Sequence, residues 1–227
     1  MSVIPGALAV VAFLILVQDP ARSPNPELRL FSTLRGLPAR FKRYLGAVGV
    51  FGLGDFSHSL LILAATQLLT PRLGVVHAAQ VAGLLYVGRN VVQVAASFPV
   101  GMVADRVGSL PVLVVGYSLG ALTAVGTLFA FWSEVDSIVI LTALFVGAGL
   151  YVAVQEALES TVTADMVRSD TLATSYGALG TVNGGAKLIS SSMVGILWTA
   201  ASPSVAFGLA GALMLLGTFL LARLGRG

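Results

Sequence analysis

The sequence predicts an all-α integral membrane protein, a bundle of about seven transmembrane helices. Three observations carry that expectation. Of 227 residues, 56% are hydrophobic and only 10% are charged, with a mean hydropathy of +0.93, whereas a soluble domain needs roughly 25% charged residues. Seven apolar segments meet or approach the ~20 residues with which a helix rising 1.5 Å per residue crosses a ~30 Å hydrocarbon core. Those segments are also too long and too continuously apolar for barrel strands, which alternate over about 10 residues.

Taken in order, the spans lie near 3–17, 44–69, 79–103, 110–132, 137–160, 173–197 and 203–224. The opening "MSVIPGALAVVAFLILVQDP" has no basic n-region and no small-residue cleavage site, so it reads as a short span ended by Asp19 and Pro20 rather than a signal peptide. Residues 18–43 form a basic linker with Arg22, Arg29, Arg35, Arg40, Lys42 and Arg43. The linker is either an amphipathic piece on an anionic inner leaflet or a plain flexible connection. Residues 44–224 make a six-helix unit and 225–227 a tail.

Basic residues then orient the bundle. On one side lie the six linker cations with Arg106, Arg168, Arg223 and Arg226; on the other stands Arg72 alone. The crowded side is expected to be cytoplasmic, which puts the N-terminus outside and the C-terminus inside a cell membrane. An outside N-terminus that opens on a short span reads as the last helix of something longer.

Several function classes have no support. The chain has no cysteine, so thiolate metal sites and disulfides are excluded, and His58 and His77 are too few for a zinc site. No phosphate-binding loop, catalytic-triad spacing or metal-binding His–Glu pair occurs. No enzyme, cofactor or metal is therefore expected. The net charge of +3 resides mostly in loops and gives no sign of nucleic acid. The expected partners are the lipid bilayer and a small-molecule substrate.

Polar stripes at helical spacing carry the functional signal. Counted from the inner helix ends, Asp55 lies about 17 Å up, and Arg89 and Lys187 about 21 Å up. An unpaired charge at that depth costs about 2.5–3.5 kcal/mol, so partners or water are expected. Span 2 brings Asp55, His58, Ser59 and Thr66; span 3 brings Tyr86, Arg89, Asn90, Gln93 and Ser97; span 6 brings Tyr176, Gly180, Asn183, Lys187 and Ser190. Three stripes at one depth suggest a substrate path, and the alternative is interhelical hydrogen bonding that holds the bundle together. Asp55 is the candidate coupling group, with a permanent salt bridge as its alternative. His58 is either a proton relay or a buried hydrogen-bonding side chain. "GYSLG" (Gly116, Gly120) and "GTVNG" (Gly180, Gly184) have the spacing that lets helices approach closely.

Between spans 3 and 4 stands "GMVADRVGSLPVLVVGY". Gly101 and Gly108 permit close approach or a sharp turn, and Asp105 is placed to cap a helix or pair with a base. Gly101, Asp105, Arg106 and Gly108, followed by Gly116, resemble the Gly-x-x-x-Asp-Arg-x-Gly loop of the major facilitator superfamily. Ser109, Leu110 and Pro111 replace that motif's basic pair, as in the weaker copy of the second half. "GDFSHSLLILAATQLL" and "ADMVRSDTLATSYGALGTVNGGAKLISSSMVGILW" resemble the seventh helix and the region of the eleventh. The likeness covers nearly all of 40–224 and implies that span 1 matches a sixth helix and spans 2 to 7 the seventh through twelfth.

What the resemblance implies is secondary transport of a small solute by alternating access, ion- or proton-coupled, with efflux weakly preferred. It also implies a second six-helix half, supplied by another chain or a homodimer; the alternative is a truncated, non-transporting fragment or scaffold subunit. Glu156 and Glu159, near the inner end of span 5, are expected to serve a cytoplasmic gate with Arg106 or Arg168.

Overall fold

The computed structural model describes residues 36–225. The expected first span and most of the linker lie outside the described residues. Six helices follow in order: α1 Ala39–Gly52, α2 His58–Val107, α3 Ser109–Trp132, α4 Ile138–Met166, α5 Leu172–Ala200 and α6 Pro203–Leu224. No strand occurs among the described residues. Helices α2, α3, α4 and α6 are each long and apolar enough to cross a membrane. The 29 residues of α5 reach about 43 Å, and its lower apolarity comes from the Tyr176–Lys187 stripe. The protein is an all-α membrane bundle.

Helix α2 is two helices in one. Gly74, at φ 73° and ψ 160°, leaves helical geometry inside it. His58 and Arg89 hydrogen-bond at 2.6 Å across 31 residues, which a straight helix would hold about 46 Å apart. The chain therefore folds back on itself at Gly74. A loop around Arg72 was expected between spans ending at 69 and starting at 79. The connection is instead compressed to one glycine, because only a residue without Cβ takes this φ cheaply. Gly108, at φ 96°, makes the next reversal into α3.

The expected continuous span 44–69 is corrected in the same way. Helix α1 stops at Gly52, α2 begins at His58, and residues 53–57 are non-helical. The break is locally satisfied: Asp55 N donates to Phe51 O and Gly52 O, both at 3.1 Å, and Ser57 N donates to Ser191 Oγ at 3.1 Å. Gly54 explains why it sits there. A Cβ on Gly54 would collide with the backbone of α6 at Ala210 and Met214. Phe51, stacked on Tyr117 with centroids 3.7 Å apart, wedges the end of α1 into the core.

Packing then separates two kinds of surface. Helix α3 packs on α4 and α6, α2 on α4, and α1 on α6 and α5. Leu84, Val87, Val91, Val94 and Phe98 line one exposed stripe of α2, at the three- and four-residue steps of a single helix face. Arg89 and Gln93 occupy the opposite face. A soluble protein rarely exposes an apolar stripe of this length, and in a bilayer it is the lipid-facing side.

Candidate functional site

The broken helix delivers Asp55 into the middle of the bundle. It is 1% exposed. Lys187 Nζ of α5 pairs with its Oδ2 at 3.0 Å. Tyr151 OH of α4 donates to Oδ1 at 2.8 Å, and Gln155 Nε2 lies 3.4 Å from Oδ2. Desolvating a carboxylate is affordable only when partners of this kind are fixed around it. The lysine side chain retains 43% exposure, so the ion pair sits at the edge of an open polar face.

Arg89 forms a second node. It is 4% exposed; its Nη1 donates to Asn90 Oδ1 at 2.7 Å and Gln93 Oε1 at 2.8 Å, and its Nη2 to His58 Nε2 at 2.6 Å. A guanidinium can only donate. His58 Nε2 is therefore the acceptor, and the imidazole is neutral with its proton on Nδ1. That geometry supports a buried hydrogen-bonding role for His58 in this conformation, since protonating Nε2 would break its bond to Arg89.

A third node is Glu159, 5% exposed. Tyr117 OH donates to its Oε1 at 2.6 Å and the Asn183 amide to its Oε2. Tyr44 OH donates to its backbone oxygen at 3.0 Å. Glu156, one helical step away and exposed, accepts from Gln93 Nε2 at 2.6 Å.

His58, Asn90 and Gln93 are thus gathered on Arg89, Lys187 on Asp55 and Asn183 on Glu159. Arg89 and Asp55 do not pair directly. The expected gate contacts are absent: among the described residues Arg168 pairs with Asp170 at 3.3 Å, and neither Glu156 nor Glu159 pairs with Arg106 or Arg168. The two glutamates stand farther from the helix end than hydropathy alone suggests. Helix α4 continues to Met166, so Glu159 lies about 10 Å inside it. Asp105, Arg106 and Gly108 are exposed, Gly101 is half-buried, and no side chain caps α3. Gly116 and Gly120 do meet their neighbours closely, at Val154 and at Met214, Phe51 and Tyr151 respectively. Gly180 and Gly184 meet nothing within 4 Å, so the "GTVNG" spacing serves no helix contact among the described residues.

Sequence reasoning missed Tyr44, Tyr117, Tyr151 and Gln155. One signal was available: Tyr151, Gln155 and Glu159 recur every four residues, as a single helix face must. No group of three His, Cys, Asp or Glu fit to hold a metal occurs among the described residues.

Over 91% of its length the chain is 26% identical to "Uncharacterized MFS-type transporter MJ1317" of Methanocaldococcus jannaschii, and it spans about half (50%) of that relative. No protein-family profile matches the chain. That relative is named a transporter of the major-facilitator type, and the likeness agrees with a multi-pass membrane protein.

Proposed function

We propose that the chain is one half of a secondary transporter that moves a small solute by alternating access, with Asp55 as the coupling carboxylate. In this reading the six-helix half runs from the start of α1 at Ala39 to residue 224, with 1–17 a preceding helix and the segment between them a cytoplasmic linker. The Gly108 end faces the cytoplasm, on the side where the basic residues gather. A second six-helix half, from another chain or a second copy, closes the open polar face, and efflux is the preferred direction.

The single observation that carries this reading is the Asp55–Lys187 pair, set at a mid-membrane helix break on the edge of an unpartnered polar face. Non-helical backbone at membrane depth is tolerated where it borders a cavity or protein, and ions and substrates bind at such breaks. A scaffold has no use for the expense of three deep charges.

The test begins with a thermal-shift screen of drug-like and metabolite compounds on the purified chain paired with a second half. For any compound found, Asp55→Asn should abolish proton-driven flux in vesicles while leaving membrane insertion unchanged. Undiminished flux rejects the coupling role. Correct insertion without flux or thermal shift in any pairing returns the chain to the non-transporting fragment or scaffold.

A further inference from the structure

Three carboxylates and two cations meet on the polar face, and they do not pair off evenly. Lys187 is held by Asp55 at 3.0 Å. Arg89 is matched to Glu156 through Gln93, which accepts from Arg89 at 2.8 Å and donates to Glu156 at 2.6 Å. Glu159 is left over. Its carboxyl, 5% exposed, receives hydrogen bonds from the neutral donors Tyr117 and Asn183. Among the described residues no cation lies within ion-pair distance of it.

The surrounding amides point the same way. Gln155, 3% exposed, turns its amide nitrogen toward Asp55 at 3.4 Å, and its Oε1 has no donor. Asn183 gives its amide hydrogen to Glu159 while its Oδ1 also lacks one. A buried carboxylate without a cation is expensive. A protonated carboxyl supplies an O–H donor beside two amide oxygens that lack one.

We propose that Glu159 is a second proton-carrying carboxyl that exchanges Lys187 with Asp55, so that the two carboxyls hold one proton between them. The proposal rests on the reading of Asp55 as the coupling group. Two helical ladders lay out the path. On α4, Tyr151 and Gln155 serve Asp55 and Glu159 follows one step on; on α5, Lys187 serves Asp55 and Asn183, one step back, serves Glu159. Four residues rise about 6 Å, within the swing of a lysine side chain that is 43% exposed.

The exchange balances. A proton bonds to the Asp55 carboxylate, and the ion pair with Lys187 breaks. The ammonium, keeping its three protons, crosses to Glu159. The Glu159 O–H breaks, and its proton leaves toward the Gly108 end. One proton enters and one departs, with the buried charge unchanged. The groups facing Glu159 are Tyr44 from α1, Tyr117 from α3, and Asn183 and Lys187 from α5. Glu156 and Gln155 share its helix, Asp55 lies beyond Gln155, and Arg89 of α2 meets Glu156 through Gln93.

Infrared titration of the purified chain in phosphatidylethanolamine–phosphatidylglycerol vesicles tests this directly. At neutral pH the wild type should show the carbonyl stretch of a buried protonated carboxyl. Glu159→Gln, close in shape, should remove that band. Asp55→Asn, which leaves residue 159 untouched, should also remove it, because Lys187 then turns to Glu159 and keeps it ionised. A wild type without the band, a band surviving Glu159→Gln, or a band unchanged in Asp55→Asn overturns the proposal. No flux is measured, so failure here leaves the transport reading standing. Conversely, intact bands with undiminished Asp55→Asn flux reject coupling by Asp55.

Discussion

Asp55 and Lys187 state the energetics of the site most plainly. Removing one partner of a buried pair leaves the other charge stranded, at ~3–5 kcal/mol. Lys187 is 43% exposed, which places this pair at the low end. Lys187→Ala should therefore lower stability by about 3 kcal/mol in detergent melts. The double change Asp55→Asn with Lys187→Gln should recover most of it, because neither charge is then stranded. A double variant as unstable as the sum of the singles would show that the two side chains do not interact. Charges inside apolar runs are conspicuous, which is why Asp55, Arg89 and Lys187 were legible from the sequence. Tyr151 and Gln155 were not. A tyrosine in a membrane helix passes for an apolar residue, and one glutamine has many bland uses. The pairing of Glu159 with Tyr117 and Asn183 was hidden by the helix end, which hydropathy placed several residues before Met166.

At the scale of elements, glycine contact rather than glycine spacing decides the packing. A Cβ on Gly217 would lie 2.5 Å from Phe51 N and 2.6 Å from Phe51 Cα, against backbone that cannot swing aside. Gly54 meets the α6 backbone in the same way. Gly217→Ala and Gly54→Ala should each cost about 1–3 kcal/mol, the usual penalty of overpacking. Gly184→Ala, with nothing within 4 Å, should be neutral or slightly stabilising in the isolated chain, since alanine favours helix over glycine. Melting temperatures of the three variants check the order, and equal losses at all three would refute the contact argument. Helix identity was readable because it follows from hydropathy and length. The break at 53–57 was not, because Leu53 and Phe56 keep the hydropathy high through it. The Gly52–Gly54 pair beside Asp55 was the one local sign. Gly74 misled in the opposite direction. Breakers and polar groups at Pro71, Arg72, His77 and Gln80 suggest a loop, yet helix persists on both sides of a single glycine.

For the whole molecule, the two exposed surfaces make opposite demands on their surroundings. The Leu84–Phe98 stripe suits lipid. The face carrying Glu156, Tyr176, Gly180 and Gly184 is equally exposed but borders the Asp55–Lys187 pair, and lipid tails offer its charges nothing. Water or a second half must lie against it. The absence of cysteine makes this measurable with single introduced thiols. In vesicles of the chain alone, Gly180→Cys should react readily with a membrane-impermeant maleimide. Val91→Cys, on the apolar stripe and 63% exposed, should react at least tenfold more slowly, because thiolate does not form in hydrocarbon. Adding a second six-helix half should slow labelling at residue 180 and leave residue 91 unchanged. Equal reactivity at the two positions would place lipid on both faces. The polar network would then be buried bundle structure with no solute path beside it.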